Sequence, residues 1–402
     1  MKKNLFILAA AALAFTACSS DETIAVNEGL ADANTISFRP LMNNVTRAAN
    51  AAGLKSGFEE GDAISVYADY NSGKYFQDVF TKQSGETGFT STNKHYWPSD
   101  VASKNVTFTA IWGSSLTTPA LTIGTTAGNF TGYTPNAAAA NQEDILIAKH
   151  TSSSKESPVP LNFRHALSQI VVQAKNTNPS LKVTITGVRI GYIKTASTSF
   201  TYSGDATDTK EVGTANNAAN VAQADWTLVD FAGSPTTTTA NDYKYDQTVT
   251  SLALVGNTSD TGHELTGTTS WILLPQNMTN ADTDSDGTPN YATTKTGTKG
   301  TPDPDFAGAY LALKMTIENY NGASATGTIV SEQWCYWPIT QAWNPGYKYT
   351  YTINVAGGGY EPEDTDNDGE GDPVLDGAVI VFSPECTIDA WDPQAVDVSG
   401  GI

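Results

Sequence analysis

Cys18 is the residue whose position most directly implies a reaction. It follows Met1-Lys2-Lys3, an apolar block from Leu5 to Phe15, and Thr16-Ala17. Two positive charges, a short apolar core and a small residue before the cut are the marks of a secretory signal, and the block is too short to span a bilayer as a stable helix. With a cysteine beside the small residue it looks like a lipoprotein signal. Residues 1–17 would be removed, and the Cys18 thiol would be acylated to become the mature first residue. Phe15 stands where the strict pattern has leucine, so the match is relaxed. Each buried acyl methylene contributes ~0.8 kcal/mol, so more than one chain anchors firmly.

Two other runs have the right types and spacing to hold a hard cation. Asp282-Thr283-Asp284-Ser285-Asp286-Gly287 and Asp364-Thr365-Asp366-Asn367-Asp368-Gly369 each set three carboxylates at alternate positions before a glycine. Such acids converge on calcium when the chain turns at the glycine. Thr293 and Leu375 stand where an EF-hand has its bidentate glutamate, so neither run is an EF-hand. Two readings fit: weak, millimolar-class calcium loops, or solvated acidic surface loops. No cofactor is required by anything else in the chain.

Catalytic patterns are missing. There is no Gly-x-Ser-x-Gly elbow, no phosphate-binding glycine pattern and no His-Glu-x-x-His. The four histidines, His95, His150, His165 and His263, do not stand at ligand or triad spacing. His165 shares a strand face with Leu161 and Phe163, which suits a satisfied core histidine. The expectation is a protein that is not an enzyme.

Charge narrows the partners. Over 402 residues, 42 acidic side chains face 22 basic ones, a net charge of −20. That surface repels phosphate backbones, and no Lys/Arg cluster offsets it, so nucleic acid is not expected as a partner. No second apolar stretch reaches membrane-spanning length, so the lipid is the expected anchor. Cys335 and Cys386 could form one disulfide or stand as free thiols.

These residues must be positioned by strands. Apolar alternation recurs in short runs: Thr35 to Phe38, Ile64 to Tyr67, Tyr75 to Thr81, Val106 to Trp112, Ile170 to Ala174, Leu181 to Ile193, Tyr310 to Ile317 and Tyr347 to Val355. A bulge is expected at Gly187, where the alternation slips. Pro40 is expected to halt pairing of the first run. No long amphipathic helix is visible, which places the chain in the all-β class. The turn-rich stretch from Asn176 to Ser180 predicts a boundary between units 48–178 and 179–402. Ahead of them, residues 18–47 form a tether, one strand carrying Ile36 and Phe38, and a small polar loop around Arg47 of the kind that proteases cut.

Taken in order, several pieces together resemble the fimbrillin family, the subunits of type V pili of Bacteroidales. They are the Cys18 start, Ile36-Ser37-Phe38 followed by Arg47-Ala48, Gly61-Asp62-Ala63-Ile64-Ser65-Val66-Tyr67 and Tyr96-Trp97-Pro98. Further on come Leu161-Asn162-Phe163-Arg164-His165, Trp343-Asn344-Pro345-Gly346-Tyr347 and the closing Ile388-Asp389-Ala390-Trp391. Ser19-Ser20-Asp21-Glu22 also resembles the acidic tag that sends such lipoproteins to the cell surface.

The resemblance implies two transthyretin-like β-sandwiches in tandem and a route of assembly. The lipoprotein would reach the surface of the outer membrane, and an arginine-specific protease would cut between Arg47 and Ala48. The strand with Ile36 and Phe38 would then leave, and the tail 378–402 of another subunit would take its place in a fimbrium that mediates adhesion, with this chain as a structural or a tip subunit. Val396, Val398 and Ile402 have the even spacing of such a donor strand. The expected partners are other pilus subunits, the outer membrane before cleavage, and a host or bacterial surface ligand. A second reading is a monomeric surface lipoprotein that binds glycans or proteins through an aromatic platform at Trp334, Tyr336 and Trp337.

Overall fold

The computed structural model describes residues 34–41, 58–113, 128–130, 134–193, 200–202, 244–266, 270–278, 308–361, 372–375 and 384–390. The chain is all-β; the helical segments among the described residues are single 3-10 turns at Ala139–Asn141 and Val355–Gly357.

The first nine strands are β1 (Phe38–Leu41), β2 (Ala63–Tyr70), β3 (Gly73–Lys82), β4 (Phe89–Thr90), β5 (Val106–Trp112), β6 (Gly128–Phe130), β7 (Leu146–Ser152), β8 (Val159–Asn162) and β9 (Arg164–His165). All but β6 form one sheet in the order β8-β1-β4-β3-β2-β5-β7-β9. Its two ends, β8 and β9, are a single run of chain interrupted at Phe163. β8 pairs with β1 and β9 pairs with β7, so this run joins the two ends of the sheet and closes it. A closed sheet leaves no open edge to recruit a stray strand. Alternation along the strands then fills its interior with Ile64, Val66, Phe80, Val106, Phe108, Leu146, Val159 and Leu161, all 0–1 % exposed.

The remaining strands are β10 (Ser168–Lys175), β11 (Leu181–Gly191), β12 (Phe200–Tyr202), β13 (Lys244–Val255), β14 (His263–Glu264), β15 (Trp271–Leu273), β16 (Tyr310–Tyr320), β17 (Ala325–Pro338), β18 (Tyr347–Asn354) and β19 (Glu385–Ala390). One sheet runs β14-β10-β18-β19, with β15 also on β10, and a second runs β13-β11-β16-β17. Ile170, Val172, Tyr349, Tyr351 and Ile353 from the first share one core with Val183, Ile185, Leu311, Leu313 and Met315 from the second. Two sheets packed on a common core are a sandwich. Short β6 and β12 pair with each other apart from both.

Two points differ from the local signals. The change of sheet falls between His165 and Ser168, ahead of the turn-rich stretch 176–180. β10 lies parallel to β18 over Gln169–Lys175 and antiparallel to β15, so it belongs with the later strands. Pro40 does not halt the first strand: it sits inside β1 opposite Leu161, while β4 pairs with β1 only at Phe38, upstream of the ring. β13 is long and polar in sequence, with Tyr245, Val249 and Leu254 its buried residues. The slip predicted at Gly187 is present as a register shift between Ile185 and Gly187 against both neighbours.

Candidate functional site

Residues 34–41 form the element around which a site can be built. Ile36 and Phe38 are 3 % and 0 % exposed, while Thr35 before them and Ser37 between them are half-buried. Period-two alternation sends the apolar pair into the closed sheet. The Phe38 ring meets Phe80 edge-on at 4.8 Å and Phe108 at 5.2 Å, and its residue stands in register with Phe89 of β4. Burial of each of these two side chains contributes roughly 1.5–3 kcal/mol. The main chain passes so close to Gly88 that a Cβ there would lie 2.6 Å from the Phe38 carbonyl oxygen. Glycine is needed at that point for lack of space.

Main-chain bonds grip the run on both sides. On one side, Ile36 N donates to the His95 carbonyl at 2.8 Å and Trp97 N donates to the Asn34 carbonyl at 2.9 Å. On the other, Val159 N donates to the Ser37 carbonyl at 2.8 Å, Ser157 Oγ to the Thr35 carbonyl at 3.0 Å, and Lys155 Nζ to Asn34 Oδ1 at 2.8 Å. Each such bond has a net value of about 1 kcal/mol.

Each flank is held in turn by a histidine–carboxylate pair. Asp78 on β3 accepts from His95 Nε2 at 2.7 Å, Ser91 Oγ at 2.6 Å and Asn93 Nδ2 at 3.1 Å. Partial burial pushes the Asp78 pKa up, but the hydrogen bonds from Ser91, His95 and Asn93 outweigh it and hold the pKa at about 2. The His95 ring stacks on Phe76 at 4.0 Å. On the opposite flank, buried His150 meets Glu156 Oε2 at 2.9 Å. Trp97 ties the flanks together: its indole Nε1 donates to the Glu156 carbonyl at 3.1 Å, and its ring packs edge-on against Phe108 at 5.6 Å. Tyr96-Trp97-Pro98 was visible as a motif, but nothing local in it names residues 34–36 as its partner. Asp78, Gly88 and the 155–157 segment carried no sequence signal.

Cys18, Arg47, Ala48, Val396, Val398, Ile402, Asp282, Asp284, Asp286, Asp364, Asp366 and Asp368 lie outside the described residues. The Asp364–Asp368 run is bounded by a described neck, where Tyr360 and Pro373 form a bridge and Glu361 N donates to the Asp372 carbonyl at 2.7 Å. Among the described residues no group of three or more His, Cys, Asp or Glu is placed to hold a metal.

The thiols of Cys335 and Cys386 are free. Cys335 is buried in β17, and Cys386 is half-buried in β19 opposite Tyr351. Burial pushes both thiol pKa values up, that of Cys386 to about 11. All four histidines pair with carboxylates; His165 Nδ1 lies 2.8 Å from buried Asp144, and His263 Nε2 lies 3.2 Å from Asp260. Of the aromatic platform, Tyr336 and Trp337 are 0 % and 2 % exposed, and the Arg189 guanidinium lies 4.3 Å over the Trp334 ring.

No curated protein sequence matches the chain. A fimbrial protein of Bacteroides vulgatus is similar in structure, with a TM-score of 0.48 and 14 % identity over 89 % of this chain and 99 % of that one. A Bacteroides ovatus protein provisionally described as a cell adhesion protein has a TM-score of 0.40 and 15 % identity, over 89 % of this chain and 97 % of its own. The fimbrillin-like family model matches residues 46–371, which is most of the sequence, and the chain therefore belongs to the fimbrillin-like family.

Proposed function

We propose that this chain is a structural subunit of a cell-surface fimbria that serves adhesion and is assembled by strand replacement. It would be made as a lipoprotein acylated at Cys18 and held at the outer membrane until an arginine-specific protease cuts between Arg47 and Ala48. The strand bearing Ile36 and Phe38 then leaves, and the tail 378–402 of a neighbouring subunit, with Val396, Val398 and Ile402 at strand spacing, enters the groove. One observation carries this reading. β1 is a middle strand of a closed sheet and fills its core, yet the sequence that joins it to the rest of the chain runs through Arg47.

Loss of a middle strand exposes an apolar slot and two rows of unpaired backbone groups, and both favour a substitute strand. The arginine count supports a single cut. Of the four arginines, Arg39, Arg164 and Arg189 lie within paired strands, where a protease cannot extend the backbone, which leaves Arg47. Membership of the fimbrillin-like family supports the cell-surface role.

The test is to cut the mature protein at Arg47 and examine it by negative-stain microscopy and by SDS gel without heating. Filaments and SDS-resistant oligomers are expected; single particles alone would overturn the reading. The monomeric glycan-binding alternative rests on an exposed aromatic platform, and no observation favours it, because two of its three rings are buried and the half-buried third, Trp334, has the Arg189 guanidinium over its ring. Calcium at the two Asp-rich runs is proposed on their spacing and on the closed neck of the second. Calorimetry with calcium on the parent and on Asp284→Ala and Asp366→Ala tests it, and absence of heat in the parent refutes it.

A further inference from the structure

The first strand reads Ile36-Ser37-Phe38-Arg39-Pro40, and the same pattern, Ile-x-Phe-x-Pro, recurs at Ile380-Val381-Phe382-Ser383-Pro384. The structure gives each constant position of that pattern a reason. Ile36 and Phe38 fill the core, and Pro40 stands where β1 no longer pairs with β4, so its missing N–H costs no bond on that side. Ser37 and Arg39, the two positions that differ between the copies, are half-buried. The walls of the Phe38 pocket are themselves buried rings, Phe80, Phe89 and Phe108, each 0–1 % exposed, so the pocket closes only in part around a smaller side chain. Laid along β1 in its own direction, Val396-Asp397-Val398 puts a valine in that pocket, Ile388-Asp389-Ala390 an alanine, and Trp391 would bring Asp389 to the Ile36 position.

We infer that residues 380–384 are a built-in copy of the first strand, and that Ile380 and Phe382 of one subunit, not Val396 and Val398, fill the places of Ile36 and Phe38 in the next. This rests on the strand-replacement reading above and names the donor within the tail. The connection to the subunit of origin permits it. The segment leads directly into β19, which among the described residues is an edge strand paired only with β18. In it Glu385, Thr387 and Ile388 are exposed and Cys386 packs against the core. Beyond that one ladder it is held by half-buried Cys386, by buried Pro384 at its start and by an ion pair from Lys175 Nζ to the exposed Glu385 carboxylate at 2.9 Å. An edge strand held by a single ladder opens at lower cost than one paired on both sides, so the tail can swing out as a unit. The shared order of the pattern also sets direction: the donor runs parallel to β8 and antiparallel to β4, as β1 does.

The experiment uses the full chain cut at Arg47, as parent, Phe382→Ala and Val398→Ala, with the fraction of SDS-resistant oligomer as readout. Unfolding of each uncut precursor checks that the subunit itself is intact. Removing the ring from a closed pocket is expected to weaken subunit association about a hundredfold or more, whereas Val398→Ala leaves it within a fewfold of the parent. A peptide of residues 376–386 added at the moment of cutting is expected to block polymerisation. The same peptide carrying Phe382→Ala, and a peptide of residues 393–402, are expected not to block it. Loss of oligomers in Val398→Ala with Phe382→Ala unaffected, or unaffected oligomers in both, overturns the inference while leaving strand replacement standing. Absence of oligomers from the parent removes the strand-replacement reading, and the inference with it.

Discussion

Truncating Phe38 tests whether the first strand is held by its core side chains or only by its backbone. The ring is fully buried, meets two other rings edge-on, and faces a third in register. Phe→Ala in a packed core costs about 3–5 kcal/mol, and at about 1.4 kcal/mol per power of ten this is two to three powers of ten in affinity. Residues 95–97 and 155–159 still grip the main chain of the mutant, so the loss is confined to the side chain. The assay is to label the N-terminal part with a fluorophore at its first residue and cut the precursor at Arg47 with an arginine-specific protease. Escape of the fragment 18–47 is then followed by anisotropy in dilute protein, where replacement by a neighbour is slow. Release from Phe38→Ala is expected to be at least about a hundredfold faster than from the parent, and the urea midpoint of the uncut precursor is expected to fall. A release rate close to that of the parent would show that the ring does not secure the strand, and the groove argument would fail with it.

Gly88→Ala pushes a Cβ against the Phe38 carbonyl; a loss of about 1–3 kcal/mol in precursor stability is expected from urea unfolding, and no change would mean the loop simply moves aside. Asp78 has a folded pKa of about 2 against an ordinary 3.8, so its contribution is complete above about pH 4 and disappears as pH falls through 2. Precursor stability should therefore decline across that window, and Asp78→Asn should flatten this part of the decline; an identical pH profile for the variant would refute the role of the hub. Thiol titration at about pH 8, below the ordinary thiol pKa, should find Cys335 and Cys386 nearly silent in the folded protein and both reactive after unfolding without reductant. Failure of either to react in the unfolded chain would reveal a disulfide.

The residue order by itself determined the all-β class, the core-facing pair Ile36 and Phe38, the alternation that sends Leu311, Leu313 and Met315 of β16 to one face and Tyr310 and Ala312 to the other, and the slip at Gly187. All of these are short-range: period two is written within a few residues and needs no knowledge of what lies across the sheet. What only the tertiary structure decided is long-range. The parallel pairing of β10 with β18 joins residues about 180 apart and moves the change of sheet to 166–167, although the turn-rich stretch after Asn176 remained the stronger local signal. The early half of β13 buries Tyr245 and Val249 but sets polar Gln247 between them on the same face, so no apolar rhythm announced it. Pro40 reads as a stop in one dimension, and is tolerated because β4 has already ended its pairing at Phe38. The need for glycine at 88 comes from a carbonyl some fifty residues away, and the grip of Asp78, Trp97 and His150 on the first strand comes from segments that meet only when the sheet closes. Alternation tells each strand which way to face; which strand lies beside it is settled by the burial that the whole sheet achieves together.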